Sequence, residues 1–129
     1  MSGCPAATVL LYVEDEAITR ELVTEVLTEA GFKLIVAADG AEALKIIEDT
    51  RQPLRGLITD ITLGWGPNGF ELARRARELT EGLPVVYMSG ASSHEWNAQG
   101  VPHSVMITKP FAPAQIVVAI ATLLNNADV

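Results

Sequence analysis

Five short aliphatic runs, separated by longer amphipathic stretches, constrain this chain more than any other feature of its sequence. The runs are Thr8–Val13, Leu34–Ala38, Leu57–Ile61, Pro84–Met88 and Ser104–Ile107. Several lack the polar alternation of a half-exposed strand, so they read as parallel strands buried on both faces. The stretches between them read as helices. In the first, Ile18, Leu22, Val23, Val26 and Leu27 fall on one face, and Gly31 follows as a stop. The second begins at Asp39 with Glu42 at capping-box spacing, and Ala43, Leu44 and Ile47 form its buried face. The third begins near Asn68, again with an acid, Glu71, three residues on. A short, weak fourth lies near Ser92–Gln99, and the last runs from about Ala112 to Leu124 with Pro113 in its first turn. Strand and helix repeated five times predict an α/β three-layer sandwich around a parallel five-stranded sheet. Right-handed crossovers leave few topologies for it.

The 129 residues suit one domain, expected over residues 8–125, with tails at 1–7 and 126–129. The chain is 49% hydrophobic and can bury a core without disulfides or a structural metal. Its formal charge of −7 opposes a direct nucleic-acid partner. Arg74, Arg75 and Arg77 cluster on the third helix, and a solvated helix face is the expected reading. Cys4 is the only cysteine, so no internal disulfide forms. Neither a signal peptide nor an apolar run near the ~18 residues of a membrane span is visible, and a cytoplasmic protein is expected.

Ligands of open parallel sheets bind at the carboxyl ends of the strands. There the first strand ends on Glu14–Asp15, the third on Asp60, the fourth on Ser89 and the fifth on Lys109. Three carboxylates, a hydroxyl and an ammonium therefore converge on one edge. Crowded carboxylates repel one another, and a divalent cation relieves the repulsion. Mg²⁺ prefers such oxygen ligands. A carboxylate beside it can act as nucleophile toward a phosphoryl group, with Lys and hydroxyl binding the phosphoryl oxygens.

The segments Leu10-Leu11-Tyr12-Val13-Glu14-Asp15-Glu16, Leu57-Ile58-Thr59-Asp60, Val85-Val86-Tyr87-Met88-Ser89-Gly90 and Lys109-Pro110-Phe111 resemble the receiver domain of bacterial two-component response regulators. The resemblance covers about residues 8–125 and implies a flavodoxin-like (βα)5 fold with strand order 2-1-3-4-5, an order the handful of possible topologies alone does not select. It implies that Asp60 accepts a phosphoryl group in a Mg²⁺-dependent reaction from a sensor histidine kinase or a histidine phosphotransfer protein. By position, Asp15 and Asp60 ligate Mg²⁺, Glu14 acts on it directly or through water, and Thr62 offers its backbone carbonyl. Ser89 and Lys109 bind the phosphoryl group, and the Lys109–Pro110 peptide is cis. The resemblance further implies signalling to a downstream protein, and catalysis limited to the domain's own phosphorylation and dephosphorylation. The chain begins with Met and closes on a polar ending, from which a receiver standing alone is expected.

Some positions depart from the family pattern. Glu14 stands where Asp is commoner, and Gly64 where Pro is usual four residues after the acceptor. The segment 63–69 looks one residue longer. Met106 occupies a place where many receivers carry Tyr or Phe, so a ring-flip switch cannot operate as usual; a Met can still change rotamer. Trp96 could share such a motion, although ordinary packing is the expected reading. The last helix is apolar around most of its circumference, leaving Val118 and Ala114 or Ala121 toward solvent. That suggests a partner or self-association surface on the fourth helix, fifth strand and last helix.

Rival readings exist. Gly64-Trp65-Gly66-Pro67-Asn68-Gly69 spells a dinucleotide-binding pattern, but it follows the third strand and would set a pyrophosphate against carboxylates. An aspartate-based phosphohydrolase generally needs an acid where Thr62 stands. A non-phosphorylated interaction module on the same fold remains a third reading, kept open by Met106. His94 and His103 lack metal-ligand spacing.

Overall fold

The computed structural model describes residues 9–49, 51, 53–90 and 99–127. Five parallel strands, β1 (Val9–Val13), β2 (Lys33–Ala37), β3 (Gly56–Asp60), β4 (Val85–Ser89) and β5 (Ser104–Thr108), form one sheet in the order β2-β1-β3-β4-β5. The described helices are α1 (Ala17–Glu29), α2 (Gly40–Glu48), α3 (Gly69–Leu79) and α4 (Pro113–Ala127). The architecture is the flavodoxin-like sandwich that the resemblance implied, and strand ends differ from the sequence reading by about one residue. The short helix expected near Ser92–Gln99, with His94 and Trp96, falls almost wholly outside the described residues, as do Cys4 and its tail.

Period-two alternation sorts the strand side chains into two cores. Leu11, Val13, Leu57, Val85 and Tyr87 point to the side covered by α2 and α3. Leu10, Tyr12, Ile58, Val86 and Met88 point to the side covered by α1 and α4. The central strands β1, β3 and β4 are buried throughout. Burial on both faces does not extend to the edges: β2 and β5 are only partly buried, because each has a neighbour on one side alone. Phe70 of α3 packs on Tyr87 with ring centroids 5.1 Å apart and planes tilted by 57°, a contact worth about 0.5–1.5 kcal/mol beyond its buried area.

The caps follow the sequence closely. Asn68 accepts from the Glu71 amide and Glu71 accepts from the Asn68 amide, closing a full capping box that starts α3. At α2 the box is half-formed. Asp39 accepts from the Glu42 amide, but the Glu42 carboxylate takes the Ala38 amide instead of that of Asp39. The face of α1 is narrower than its periodicity suggests. Val23 and Leu27 are buried, whereas Ile18 is 72% and Leu22 53% exposed. Among the described residues no helix or strand covers the first turns of that stripe.

The arginines of α3 serve as ties between elements. Arg75 bridges Glu48 of α2 and Glu78, both near 3 Å. Arg77 donates to the Leu83 carbonyl at 2.6 Å, and burial pulls its guanidinium below the ordinary value. Arg74 reaches the Gln99 carbonyl. The solvated face expected there is thus partly occupied by structural contacts.

Candidate functional site

Parallel strands of similar length end together, so the residues after β1, β3, β4 and β5 share one edge of the sheet. The edge brings Glu14, Asp15 and Asp60 together, with one carboxylate oxygen of each within 4.8 Å of the others. Among the described residues this is the one group of acids, histidines or cysteines spaced for a metal. The exposed His103 belongs to no such group. Lys109 reaches over from the end of β5. Its ammonium lies 2.7 Å from Asp60 Oδ2 and 3.8 Å from Glu14 Oε1. The Lys109–Pro110 peptide is cis, as the resemblance implied. Ser89 is buried at the end of β4, and its carbonyl accepts from the Lys109 amide at 2.8 Å. Thr62 starts the exposed loop after Asp60.

The electrostatics follow from burial. Glu14 is fully buried and Asp60 is 6% exposed, while Asp15 is open to solvent. Glu14 Oε2 accepts the Glu16 amide, but Oε1 has no hydrogen-bond partner among the described residues. Burial, with the Asp60 charge as a smaller contribution, pushes the Glu14 carboxyl up to about 7, against the opposing pull of the Glu16 amide and Lys109. Burial also works against the charged Lys109. Its hydrogen bond to Asp60 and the charges of Asp60, Glu14 and Asp15 more than offset this and hold it above the usual lysine value.

A divalent cation fits this donor set. Its oxygens are hard ligands within 4.8 Å of one another, and Glu14 Oε1, which takes no hydrogen bond and meets Lys109 only at 3.8 Å, is a buried acceptor that a cation would satisfy. Among the described residues Lys109 is the cation paired with these carboxylates, so the group carries an excess of negative charge.

Two supporting contacts were not read from the sequence. Arg20 of α1 donates to the Glu14 carbonyl at 2.9 Å, fixing the backbone between the two acids. A basic residue one turn into the helix after an acidic strand end was the available signal. Tyr12 places a buried hydroxyl with no described partner beneath the site, and burial, with the Glu14 charge next, pushes it above the ordinary tyrosine value. A Tyr within an apolar run carries no distinguishing signal.

The glycine-rich pattern is occupied by the protein's own groups. Gly64 lies beside Asp15, Gly66 has φ +84°, and the start of α3 is closed by the Asn68–Glu71 box. A pyrophosphate there would meet the Asn68, Gly69 and Glu71 amides already bonded and the Asp15 carboxylate alongside, which argues against the dinucleotide reading.

Residues 10–121 match the family model described as the response regulator receiver domain. The phosphate regulon transcriptional regulatory protein PhoB of Pseudomonas aeruginosa is 32% identical over 124 residues, a stretch covering 91% of this chain and 52% of that protein. The chain thus spans about half the length of the curated relatives it matches. A solved response regulator receiver protein from Sinorhizobium medicae superposes with a TM-score of 0.91 at 36% identity, covering 96% of this chain and 99% of that one. The receiver domain of the hybrid histidine kinase CckA superposes with a TM-score of 0.74 at 28% identity, covering 90% and 98%.

Proposed function

The chain belongs to the receiver-domain family of two-component response regulators, which accept a phosphoryl group on an aspartate from histidine kinases, and on that premise we propose that Asp60 is the acceptor here. One observation carries the assignment: Asp60 is the carboxylate that Lys109 holds, within a cluster of three acids suited to Mg²⁺. Glu14, Asp15, Asp60 and the Thr62 carbonyl would hold the ion, which when bound neutralises the carboxylates and the incoming phosphoryl oxygens. An Asp60 carboxylate oxygen attacks phosphorus, the bond from phosphorus to the donor nitrogen breaks, and the electron pair leaves with the donor imidazole. Lys109 exchanges part of its contact with Asp60 for a phosphoryl oxygen, and the Ser89 hydroxyl binds another. Catalysis is confined to the domain's own phosphorylation and dephosphorylation. The functional unit runs over about residues 8–125 and works in the cytoplasm; no described helix is long and apolar enough to cross a membrane.

A protein donor must bring its phosphohistidine to an aspartate that is almost closed off, so it must rest on the rim of the cleft. The rim beside Lys109 is apolar. A cavity of ≈ 420 Å³ lies between Thr19, Leu22 and Val23 of α1 and the Pro110–Pro113 turn, with Ile18 exposed alongside. Leu22→Asp is expected to slow transfer from a phosphorylated kinase or phosphotransfer protein about tenfold, the value of ~1.4 kcal/mol at an interface, and to leave labelling by acetyl phosphate unchanged. Equal loss with both donors would place the defect in the site and remove the docking role. Chelation should abolish transfer from either donor, and Mg²⁺ should restore it.

Output is assigned to protein contacts made by β5 and α4. Ile116 and Ile120 are buried against the sheet, while Val118 is 64% exposed and Ala114 is also exposed, next to Val105 and Ile107 of the edge strand. Met106 lies beside Tyr87 in the β4–β5 register and links this edge to the strand that ends in Ser89. Sedimentation with beryllofluoride, a phosphoryl mimic, is expected to show stronger self-association than without it. A monomer in both, together with normal output from Val118→Asp, would exclude this face. The net charge of −7 argues against nucleic acid as a direct partner of this unit.

A further inference from the structure

The loop after Asp60 is fastened at two points. At its base, the Gly69 amide donates to the Ile61 carbonyl at 2.9 Å, so residues 61–69 close on themselves as an Ω-loop. At its crown, the Trp65 carbonyl accepts from the Gly40 amide at 2.8 Å and the Ala41 amide at 3.2 Å. Those two amides open α2 and have no acceptor within the helix. The next two, of Glu42 and Ala43, are taken by Asp39, so the whole first turn of α2 is satisfied only with the loop in place.

The approach is close enough to dictate residue type. A Cβ on Gly40 would sit 1.9 Å from the Pro67 carbonyl oxygen. Gly66 adopts φ +84°, and a Cβ there would sit 2.4 Å from the Ala41 nitrogen. Between base and crown lie Thr62 and Gly64, the latter beside Asp15.

We infer that Gly40 and Gly66 are positioning residues for the cation site: by letting the Trp65 carbonyl latch onto α2, they fix the loop that carries Thr62 past Asp15. The inference rests on the reading of Glu14, Asp15 and Asp60 as the Mg²⁺ site. Neither glycine touches that site, and Gly40 is already in a helical position where Ala is normally favoured. A defect in Gly40→Ala therefore reports the latch and not the intrinsic preference of the helix.

The test is calorimetric titration of the full chain with Mg²⁺. Gly40→Ala and Gly66→Ala are expected to bind about tenfold more weakly, in the range seen when groups behind metal ligands are removed. Gly82→Ala is the control. It has the same backbone strain at φ +73° with no neighbour within 4 Å, at the opposite end of the sheet, and should bind as the parent does. Parental affinity in folded Gly40→Ala and Gly66→Ala would overturn the latch while leaving the site intact. Absence of Mg²⁺ binding in the parent would overturn the site reading and the inference with it. Should the glycine variants fail to fold, amide exchange in the parent decides: slow exchange at Gly40 and Ala41, slower still with Mg²⁺, supports the latch, and the rapid exchange of open helix-end amides overturns it.

Discussion

Glu14→Gln is expected to make the metal-free protein more stable at pH 8 while weakening its hold on Mg²⁺. The Glu14 carboxyl rises from an ordinary 4.5 to about 7 in the folded chain, chiefly through burial. Below pH 4.5 the group is protonated in folded and unfolded chains alike, and that stability is fully present. Between 4.5 and about 7 the unfolded chain ionises first, so stability falls as pH rises through this window. Above that window the penalty levels off at its full value. Gln keeps the size, removes the charge and can donate to Asp60. The gain in thermal midpoint should be about 5–10 °C at pH 8 and near zero at pH 4. Mg²⁺ should narrow the gap, since it stabilises the parent by about 2.7 kcal/mol at a hundredfold excess over Kd and the variant by less. Equal midpoints for the two proteins at pH 8 without metal would show that Glu14 is not strained by its charge. A destabilised protein that gains from its ligand is what two buried acids and an exposed one, gathered around one lysine, should give.

The sheet and the site were both legible because they depend on strand ends. Once five aliphatic runs are taken as parallel strands, Glu14, Asp60, Ser89 and Lys109 must share an edge whatever the loops do. Strand order was legible only through the resemblance, since periodicity cannot say which runs pair. Ile18 and Leu22 share the apolar face of α1 with Val23 and Leu27, yet the first two are exposed and the last two buried. Helical periodicity gives the direction of a stripe but not how much of it neighbouring elements cover. The same limit applies to β2 and β5, whose aliphatic runs resemble those of the buried strands although they form the edges. The latch between the loop and α2 was out of reach for another reason: its acceptor is a backbone carbonyl, which every residue has. The lengthened, glycine-rich loop marked the place without telling its partner.

Asp60→Asn is expected to abolish covalent phosphorylation altogether. Three carboxylates lie within reach of an incoming phosphoryl group, and the structure distinguishes them. Glu14 is fully buried, with no surface open to a phosphoryl donor, whereas Asp60 keeps a small opening. Asp15 is solvent-exposed and has no close contact with Lys109. Asp60 alone meets the Lys109 ammonium at 2.7 Å, where charge on a bound phosphoryl group would be stabilised. Asn preserves the shape of the side chain but offers an amide oxygen, too weak a nucleophile to form an acyl phosphate. The decisive measurement is intact-protein mass spectrometry after acetyl phosphate treatment with and without Mg²⁺, followed by peptide mapping. A single phosphoryl group that requires Mg²⁺, maps to Asp60 and is lost in Asp60→Asn is the predicted result. Undiminished labelling of Asp60→Asn, or a label that maps to Asp15 or Glu14 in the parent, would contradict it.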